Sequence, residues 1–202
     1  MNLYLKLINK CAGIVFSVML ITSCVAETIE SPSSMKFSDS AVVSVQNPNS
    51  AILVGSTFAW LPEAVLFYKD KRLQDVKIKP LIENEIIKNL QAKEMQIVES
   101  VSGASYAIGY TAALESSLND ETIIRRYGLL PGYSQIPEGD ANIEKGSLIL
   151  YVFNTRNDEI VWRSAAQVGV KFDMELSQRK GRIQRVVAEM FQTLPVSKAS
   201  NK

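Results

Sequence analysis

The sequence predicts an α+β domain in which an antiparallel β-sheet carries two helices on one face, in the order β-α-β-β-β-β-α. Two segments, residues 80–94 and 176–193, repeat apolar side chains every three or four positions, which is the period of a helix. Two others, residues 104–115 and 160–172, alternate between two kinds of side chain, which is the period of a strand. These four segments favour a single domain in which amphipathic helices cover one face of a sheet.

The first 23 residues have the pattern of a secretory signal peptide that precedes this domain. Lys6 and Lys10 are their only charges, residues 11–21 form an uncharged apolar run, and small residues follow. A basic start, an apolar centre and a small-residue exit are typical of such peptides. The run is shorter than the roughly 20 residues that cross a bilayer. A short membrane anchor or a buried helix is the alternative.

Cys24 stands three residues after the end of the apolar run, behind two small residues. Residues 21–24, Ile-Thr-Ser-Cys, resemble the bacterial lipobox, in which an aliphatic and two small residues precede a cysteine. The resemblance implies cleavage before Cys24, a diacylglycerol on its sulfur and an acylated amine, and several acyl chains make a stable membrane anchor. The alternative is a free, buried thiol. The other cysteine, Cys11, would leave with the signal peptide.

The lipobox sets the predicted organisation and location of the chain. Residues 1–23 are the signal peptide, and residues 24–40, rich in Ser, Thr, Glu and Pro, are the lipidated cysteine and a flexible tether. Residues 41–196 are the single α+β domain, and residues 197–202 are a disordered tail. Because Val25 rather than Asp follows the cysteine, we expect the outer membrane, with the domain facing the periplasm.

The first half of the domain begins with a strand over residues 52–62, which Pro62 is expected to end. Pro80 suits the first turn of a helix over residues 80–94. A short strand at residues 96–100 follows. In the strand over residues 104–115, one face carries the larger side chains and is expected to pack on the helices.

The second half of the domain contains a hairpin and the last helix. A short helix is predicted at residues 122–127, and the Pro- and Gly-containing segment after it is a loop, whose residues 128–133 either dock a partner or pack on the core. An apolar strand at residues 147–153 and the alternating strand at 160–172 form the hairpin. The final helix, over residues 176–193, stops before Pro195.

A candidate partner surface follows from the alternation of the hairpin strand. If its larger residues pack on the helices, then Arg163, Gln167 and Lys171 project from the opposite face of the sheet. Arg can bind a carboxylate in a fork, so this face could dock an acidic envelope protein. A plain solvated sheet face is the alternative.

The composition excludes several kinds of chemistry. There is no histidine, so His bases, Ser-His-Asp and Cys-His nucleophile systems and imidazole zinc sites are excluded. Two S-x-x-K matches lack the partner motifs of penicillin-binding proteins. Without Lys6 and Lys10 the chain has 20 basic and 21 acidic residues, which gives no electrostatic basis for binding nucleic acid. We therefore expect no catalytic residues, no metal and no cofactor.

Three motifs together resemble the envelope lipoprotein family known as domain of unknown function 4136. They are the AWLP, GSL and VWR sequences at Ala59–Pro62, Gly146–Leu148 and Val161–Arg163. The similarity extends from about Thr57 to Pro195; Ser147 stands where Thr is usual in the family. The resemblance implies a Gram-negative envelope and an α+β domain, and it brings no established activity.

Anchor, tether and domain together predict a membrane-anchored periplasmic lipoprotein that acts as a non-catalytic binding or assembly module. Its expected contacts are the membrane, through the lipid on Cys24, and an envelope protein. A lipid or small-molecule carrier is one alternative, and a cell-envelope hydrolase is another. A large apolar pocket would favour the alternatives, whereas a flat sheet face of small residues would favour docking.

Overall fold

The computed structural model describes residues 40–73, 77–133, 136 and 139–198. The signal peptide, Cys24 and the tether up to residue 39 lie outside the described residues, as does the tail from residue 199. The strands are β1 (Ala41–Gln46), β2 (Ile52–Leu53), β3 (Thr57–Phe67), β4 (Gln96–Ile97), β5 (Tyr106–Leu114), β6 (Ile143–Asn154), β7 (Ile160–Lys171) and β8 (Val196–Ser197). The α-helices are α1 (Ile78–Ala92), α2 (Asp120–Tyr127) and α3 (Leu176–Phe191).

The central sheet has six strands in the order β1-β7-β6-β5-β3-β4. The predicted hairpin of β6 and β7 is confirmed, with Val152 opposite Trp162. The α+β class is confirmed, but the sheet is mixed rather than wholly antiparallel, because β3 pairs in parallel with both β4 and β5. The reason is α1, a crossover helix that returns the chain so that the next strands run in the direction of β3.

The prediction that Pro62 ends a strand is wrong. β3 continues to Phe67, and its register with β5 shifts between Trp60 and Val65. Pro62 lies in this bulge, where its missing N–H breaks no ladder hydrogen bond. The bulge brings Ala64 against Gly109 of β5, where an added Cβ would lie 2.5 Å from the Ala64 Cβ. Gly109 is therefore required by the close approach of the two strands.

Helices α1 and α3 pack on one face of the sheet, as the sequence predicts. The apolar stripe of α1 is buried at Ile82, Ile86 and Leu90. From α3, Phe191 packs against the fully buried Trp162, with ring centroids 5.7 Å apart. These residues belong to the largest apolar cluster in the described part of the chain, which lies between the two helices and the sheet.

Two short pairings at the domain ends were not predicted. β1 adds an edge strand beside β7, with Val42 packed on the helix side and Val43 on the opposite side. The alternation of apolar and polar side chains in β1 covers only the four residues Val43 to Gln46. β2 and β8 form a separate parallel pair, in which Ser197 pairs with Leu53. The expectation that the disordered tail begins at residue 197 is therefore wrong by at least one residue.

The short helix α2 lies on the other face of the sheet. It begins two residues earlier than predicted, because the Asn119 Oδ1 accepts a hydrogen bond from the Thr122 N–H at 3.0 Å. It ends at Gly128, whose left-handed φ of 64° suits a helix C-terminus. Its Ile123 packs with Leu129 against the sheet residues Ile149 and Ala165. The second sheet face is therefore partly covered.

Candidate functional site

The predicted partner surface is not an open face, because Gln167 is fully buried. Its Nε2 donates to the Asp120 Oδ1 at 2.7 Å and to the Ser147 Oγ at 3.3 Å, and its Oε1 accepts the Tyr133 N–H at 3.1 Å. The prediction that Gln167 projects from an open sheet face is therefore wrong. The start of α2 and the loop after it cover the residue, and no partner can contact its side chain in this conformation.

Arg163 and Lys171 lie far apart on β7. Arg163 is half-buried, and its guanidinium lies beside Gly128, about 3.6 Å from where a Cβ on that glycine would be. Lys171 is exposed at the far end of the strand. Eight residues of strand separate the two by roughly 26 Å. Contact of either residue with a partner stays a prediction, but the three residues do not form one surface.

A buried polar cluster holds α2 on the sheet. Lys145 is buried, and its Nζ donates to the Asp120 Oδ2 at 2.6 Å and contacts the Glu115 Oε1 at 3.0 Å. Burial alone would lower the pKa of Lys145, but the two carboxylates outweigh it and raise the pKa. Each buried polar group of this cluster thus has a partner, which is typical of a structural role.

The loop after α2 packs on the core rather than standing free. Leu129 and Tyr133 are 4% and 7% exposed. Of the two alternatives for residues 128–133, the packed loop is therefore the one observed. Thr111 of β5 is also fully buried, and its hydroxyl is hydrogen-bonded with those of Tyr127 and Tyr151.

An apolar cavity of about 130 Å³ lies on the opposite side of the sheet. It is bounded by α1, by α3 and by the ends of β5, β6 and β7. Its apolar lining includes Phe67, Ile82, Ala112, Leu148, Val168 and Val187. Its volume is close to that of an engineered apolar cavity of about 150 Å³ in another protein, which binds benzene.

Arginines of α3 line the same cavity. Arg179 is 6% exposed, and its Nη2 donates to the carbonyl oxygens of Lys171, Phe172 and Met174 at 3.2, 3.3 and 3.2 Å. Its Nε is buried and has no hydrogen-bond partner among the described residues. Burial lowers the pKa of the Arg179 guanidinium, and the positive charge of Arg182 lowers it further.

A polar cleft of about 460 Å³ adjoins the apolar cavity. Its described lining residues are Lys171, Asp173, Met174, Gln178, Arg182 and Arg185. Three of these, Lys171, Met174 and Arg182, line the apolar cavity as well. The lining of the cleft thus carries three positive charges and one negative charge, directly beside an apolar wall.

The spacing of the basic residues of α3 is a sequence signal for this site. Arg179 and Arg182 stand four positions before Ile183 and Val186, so they share the face of the apolar stripe of α3. Basic residues on the apolar face of a helix indicate that the face meets something other than a uniform core.

The described residues show neither a metal site nor a membrane span. They contain no group of three or more His, Cys, Asp or Glu side chains placed to hold a metal ion. No helix within them combines the length and apolarity that crossing a bilayer requires.

The sequence profile of the family "Domain of unknown function (DUF4136)" matches residues 42–196, which is most of the chain. The chain belongs to this family. The resemblance drawn from the three motifs is therefore confirmed, and the match begins earlier than Thr57, at the strand β1. No curated protein is significantly similar to the chain.

Several solved structures are similar to this fold at low sequence identity. A PelC dodecamer from Paraburkholderia phytofirmans is 11% identical over 78% of this chain and 99% of that one, with a TM-score of 0.48. A DUF4136 family protein from Bacteroides thetaiotaomicron is 15% identical over 78% and 96%, with a TM-score of 0.45. A PDZ domain protein from Parabacteroides distasonis is 11% identical over 79% of this chain and 36% of that one, with a TM-score of 0.43.

Proposed function

We propose that this protein is a lipid-anchored, non-catalytic binding module of the bacterial envelope that holds a small apolar ligand. The observation that carries the proposal is the apolar cavity between α3 and the sheet. The sequence favoured docking of an envelope protein on an open sheet face, but the burial of Gln167 removes the centre of that face. The geometry therefore supports the alternative of a carrier.

The size of the cavity limits what it can hold. Sites for drug-sized ligands begin at about 300 Å³, which is larger than this cavity. A single short chain or one ring fits better, with the rest of the ligand in the adjoining cleft. The ligand would thus be bound by one end.

The side chains of the cavity support binding rather than catalysis. The described lining contains no carboxylate and no thiol, and its titratable groups include Lys171, Arg179 and Arg182. The Ser147 hydroxyl already accepts a hydrogen bond from Gln167. Ser147 has no described hydrogen bond to a base that would make it a nucleophile.

The proposed anchor places the ligand site at a membrane surface. A lipid on Cys24 and a spacer of about fifteen residues would keep the domain within reach of the bilayer, since a flexible spacer of n residues spans roughly 5–6 Å × √n. The proposed location is the outer membrane with the domain in the periplasm, as Val25 suggests. A site close to lipid suits an apolar ligand.

Anchoring is tested by changing each cysteine in turn. We expect Cys24→Ser to abolish incorporation of radiolabelled palmitate and to leave an uncleaved precursor. Cys11→Ser is the matched control, because it lies in the segment that is removed, and it should leave labelling intact. Palmitate incorporation into Cys24→Ser would refute the anchor. Density-gradient fractionation then tests the membrane, and inner-membrane residence would refute the outer-membrane proposal.

Ligand binding is tested with a photoreactive probe on membranes that contain the full-length protein. A diazirine analogue of octanol should label peptides of α3 and β7 that line the cavity. Val168→Phe, which fills the cavity, should remove this labelling. Val45→Phe is the matched control, since Val45 is 44% exposed on β1 and does not line the cavity. Equal labelling of wild type and Val168→Phe would contradict the proposal.

A further inference from the structure

We infer that the part of the ligand inside the apolar cavity is the end of an unbranched hydrocarbon chain, and that Ala112 selects this shape. The inference rests on the proposed function, because it concerns the same cavity. It decides between the short chain and the ring that the volume of the cavity allows, and it names a residue that makes the choice.

The cavity is long compared with its volume. Its lining residues extend from Ala166 to Lys171 along β7, which is roughly 16 Å of strand, and from Arg179 to Val187 along α3, which is roughly 12 Å of helix. A round cavity of about 130 Å³ would be little wider than one helical turn, whose rise is about 5.4 Å. The space is therefore a narrow slot, which suits an extended chain.

The sheet wall of this slot alternates large and small side chains. Ala112 of β5 lies between Phe67 of β3 and Leu148 of β6, and all three residues line the cavity on the helix side of the sheet. Since β3 and β6 flank β5, the Cα atoms of Phe67 and Leu148 are about 10 Å apart. The trough over the Ala112 methyl group is thus one side chain wide. A row of methylenes fits such a trough, whereas a ring or a tertiary carbon is wider.

The two long helices close the opposite wall of the slot. Ile82 of α1 and Val187 of α3 are buried, and both line the cavity. They belong to the same apolar cluster as Ala112. A wider group would have to displace such side chains, and forcing extra atoms into a packed core is destabilising. Both walls therefore disfavour branched and cyclic groups.

A second small residue, Gly146, continues the trough in the next row of the sheet, between Leu114 and Val168. A side chain at Gly146 is excluded by packing alone, because an added Cβ would come within 2.6 Å of the Val170 Cγ2. Ala112 already carries a Cβ. Of the two small residues, Ala112 is thus the one whose enlargement narrows the slot without this clash.

The first test uses three six-carbon alcohols that differ in shape. Hexan-1-ol, 3,3-dimethylbutan-1-ol and cyclohexanol compete with the diazirine analogue of octanol on membranes that contain the full-length protein. Concentrations are corrected for partition of each alcohol into the same membranes without the protein. We expect hexan-1-ol to halve the labelling at about tenfold lower concentration than either of the others, the effect of overpacking by a wider group. Equal or stronger competition by the branched or cyclic alcohol would overturn the inference.

Ala112→Val tests the residue that selects the shape. Its two added methyl groups narrow the trough, so the half-labelling concentration of the octanol analogue should rise about tenfold. Ala51→Val is the matched control, since Ala51 is exposed and does not line the cavity, and it should leave labelling unchanged. An unchanged half-labelling concentration in Ala112→Val would show that this residue does not border the space that the chain occupies.

A gain of binding separates shape selection from a loss of folding. Leu148→Ala removes one side of the trough over Ala112 and widens the slot. We expect cyclohexanol and 3,3-dimethylbutan-1-ol to compete within about threefold of hexan-1-ol in this variant, since the overpacking is relieved. A damaged fold would weaken all three alcohols alike. A tenfold preference for hexan-1-ol that persists in Leu148→Ala would contradict selection by the trough.

The outcomes also separate this inference from the proposed function. Labelling that Val168→Phe removes, with all three alcohols competing equally, would overturn the unbranched chain and leave the apolar site standing. Absence of cavity labelling by the octanol analogue in both wild type and Leu148→Ala would overturn both.

Discussion

The two faces of the sheet are covered in different ways. On one face, α1 and α3, with 15 and 16 residues, bury large apolar side chains such as Trp162 and Phe191. On the other face, α2 has 8 residues, and polar groups such as Gln167 and Lys145 are buried beneath and beside it. The long helices are held mainly by apolar burial, whereas the short one needs hydrogen bonds and ion pairs as well.

The length of the covering helix explains this difference. An isolated helix of eight residues is marginal in water, since most of its backbone groups lie in its first or last turn. α2 therefore relies on a side-chain cap from Asn119, a terminal glycine and the link from Lys145 to Asp120. Burial on the apolar face therefore supplies most of the free energy of unfolding, whereas the polar face fixes the position of α2.

The largest expected effect is on the apolar face. Trp162→Ala should reduce the free energy of unfolding by about 3–5 kcal/mol, the usual cost of truncating a buried aromatic residue. The ring is fully buried, and its Nε1 donates to the Thr193 Oγ1 at 3.2 Å. Urea unfolding followed by circular dichroism measures the change. If Trp162→Ala reduces the free energy of unfolding no more than Gln167→Ala does, the conclusion that the apolar face contributes more stability is wrong.

The second effect is on the polar face. Gln167→Ala should cost about 1–3 kcal/mol, because it leaves the buried Tyr133 N–H without its acceptor. Hydrogen exchange should quicken in α2 more than in α1 or α3. Gln46→Ala, at an exposed glutamine of β1, is the matched control and should cost less than about 0.5 kcal/mol. Uniformly faster exchange in all three helices would mean that Gln167 supports the whole fold.

The third effect is a pH dependence of the apolar face. Burial raises the pKa of the Tyr110 hydroxyl, and the nearby Glu83 carboxylate, which accepts its hydrogen bond at 3.1 Å, raises it further. The pKa of Tyr110 in the folded protein exceeds its value of about 10 in the unfolded chain. The stabilisation that Tyr110 contributes is therefore fully present below about pH 10, and it is lost as the pH rises above this value. Tyr110→Phe should therefore lose less stability between neutral and strongly alkaline pH than wild type does. If the free energy of unfolding of Tyr110→Phe and of wild type, measured by urea unfolding, falls identically at alkaline pH, then Tyr110 does not cause the pH dependence.

The smallest effect is on the outer side of α2. The Arg125 Nη1 lies 3.8 Å from the Glu121 Oε1, and both side chains are more than 70% exposed. Such surface ion pairs contribute little, so Arg125→Gln should change the free energy of unfolding by less than about 0.5 kcal/mol. A larger loss in urea unfolding would mean that α2 depends on its surface charges as well as on its buried cluster.

The sequence by itself determined the elements whose side chains repeat with a clear period. The stripes of α1 and α3 and the alternation of β5 are set by local spacing, and each needs only one apolar face to be recognised. The motifs around Trp60 and Trp162 also indicated the family. β1 was missed because its alternation of apolar and polar side chains is short, covering only Val43 to Gln46, directly after the predicted tether.

Only the tertiary structure decided which surfaces stay open. The bulge at Pro62, the parallel pairing of β3 and the burial of Gln167 each depend on residues far away in the chain, namely β5, α1 and the loop after α2. The same holds for the cavity, whose lining comes from two helices and several strands. Periodicity shows which side of an element is apolar, but packing between distant segments determines whether that side meets a core, a cavity or water.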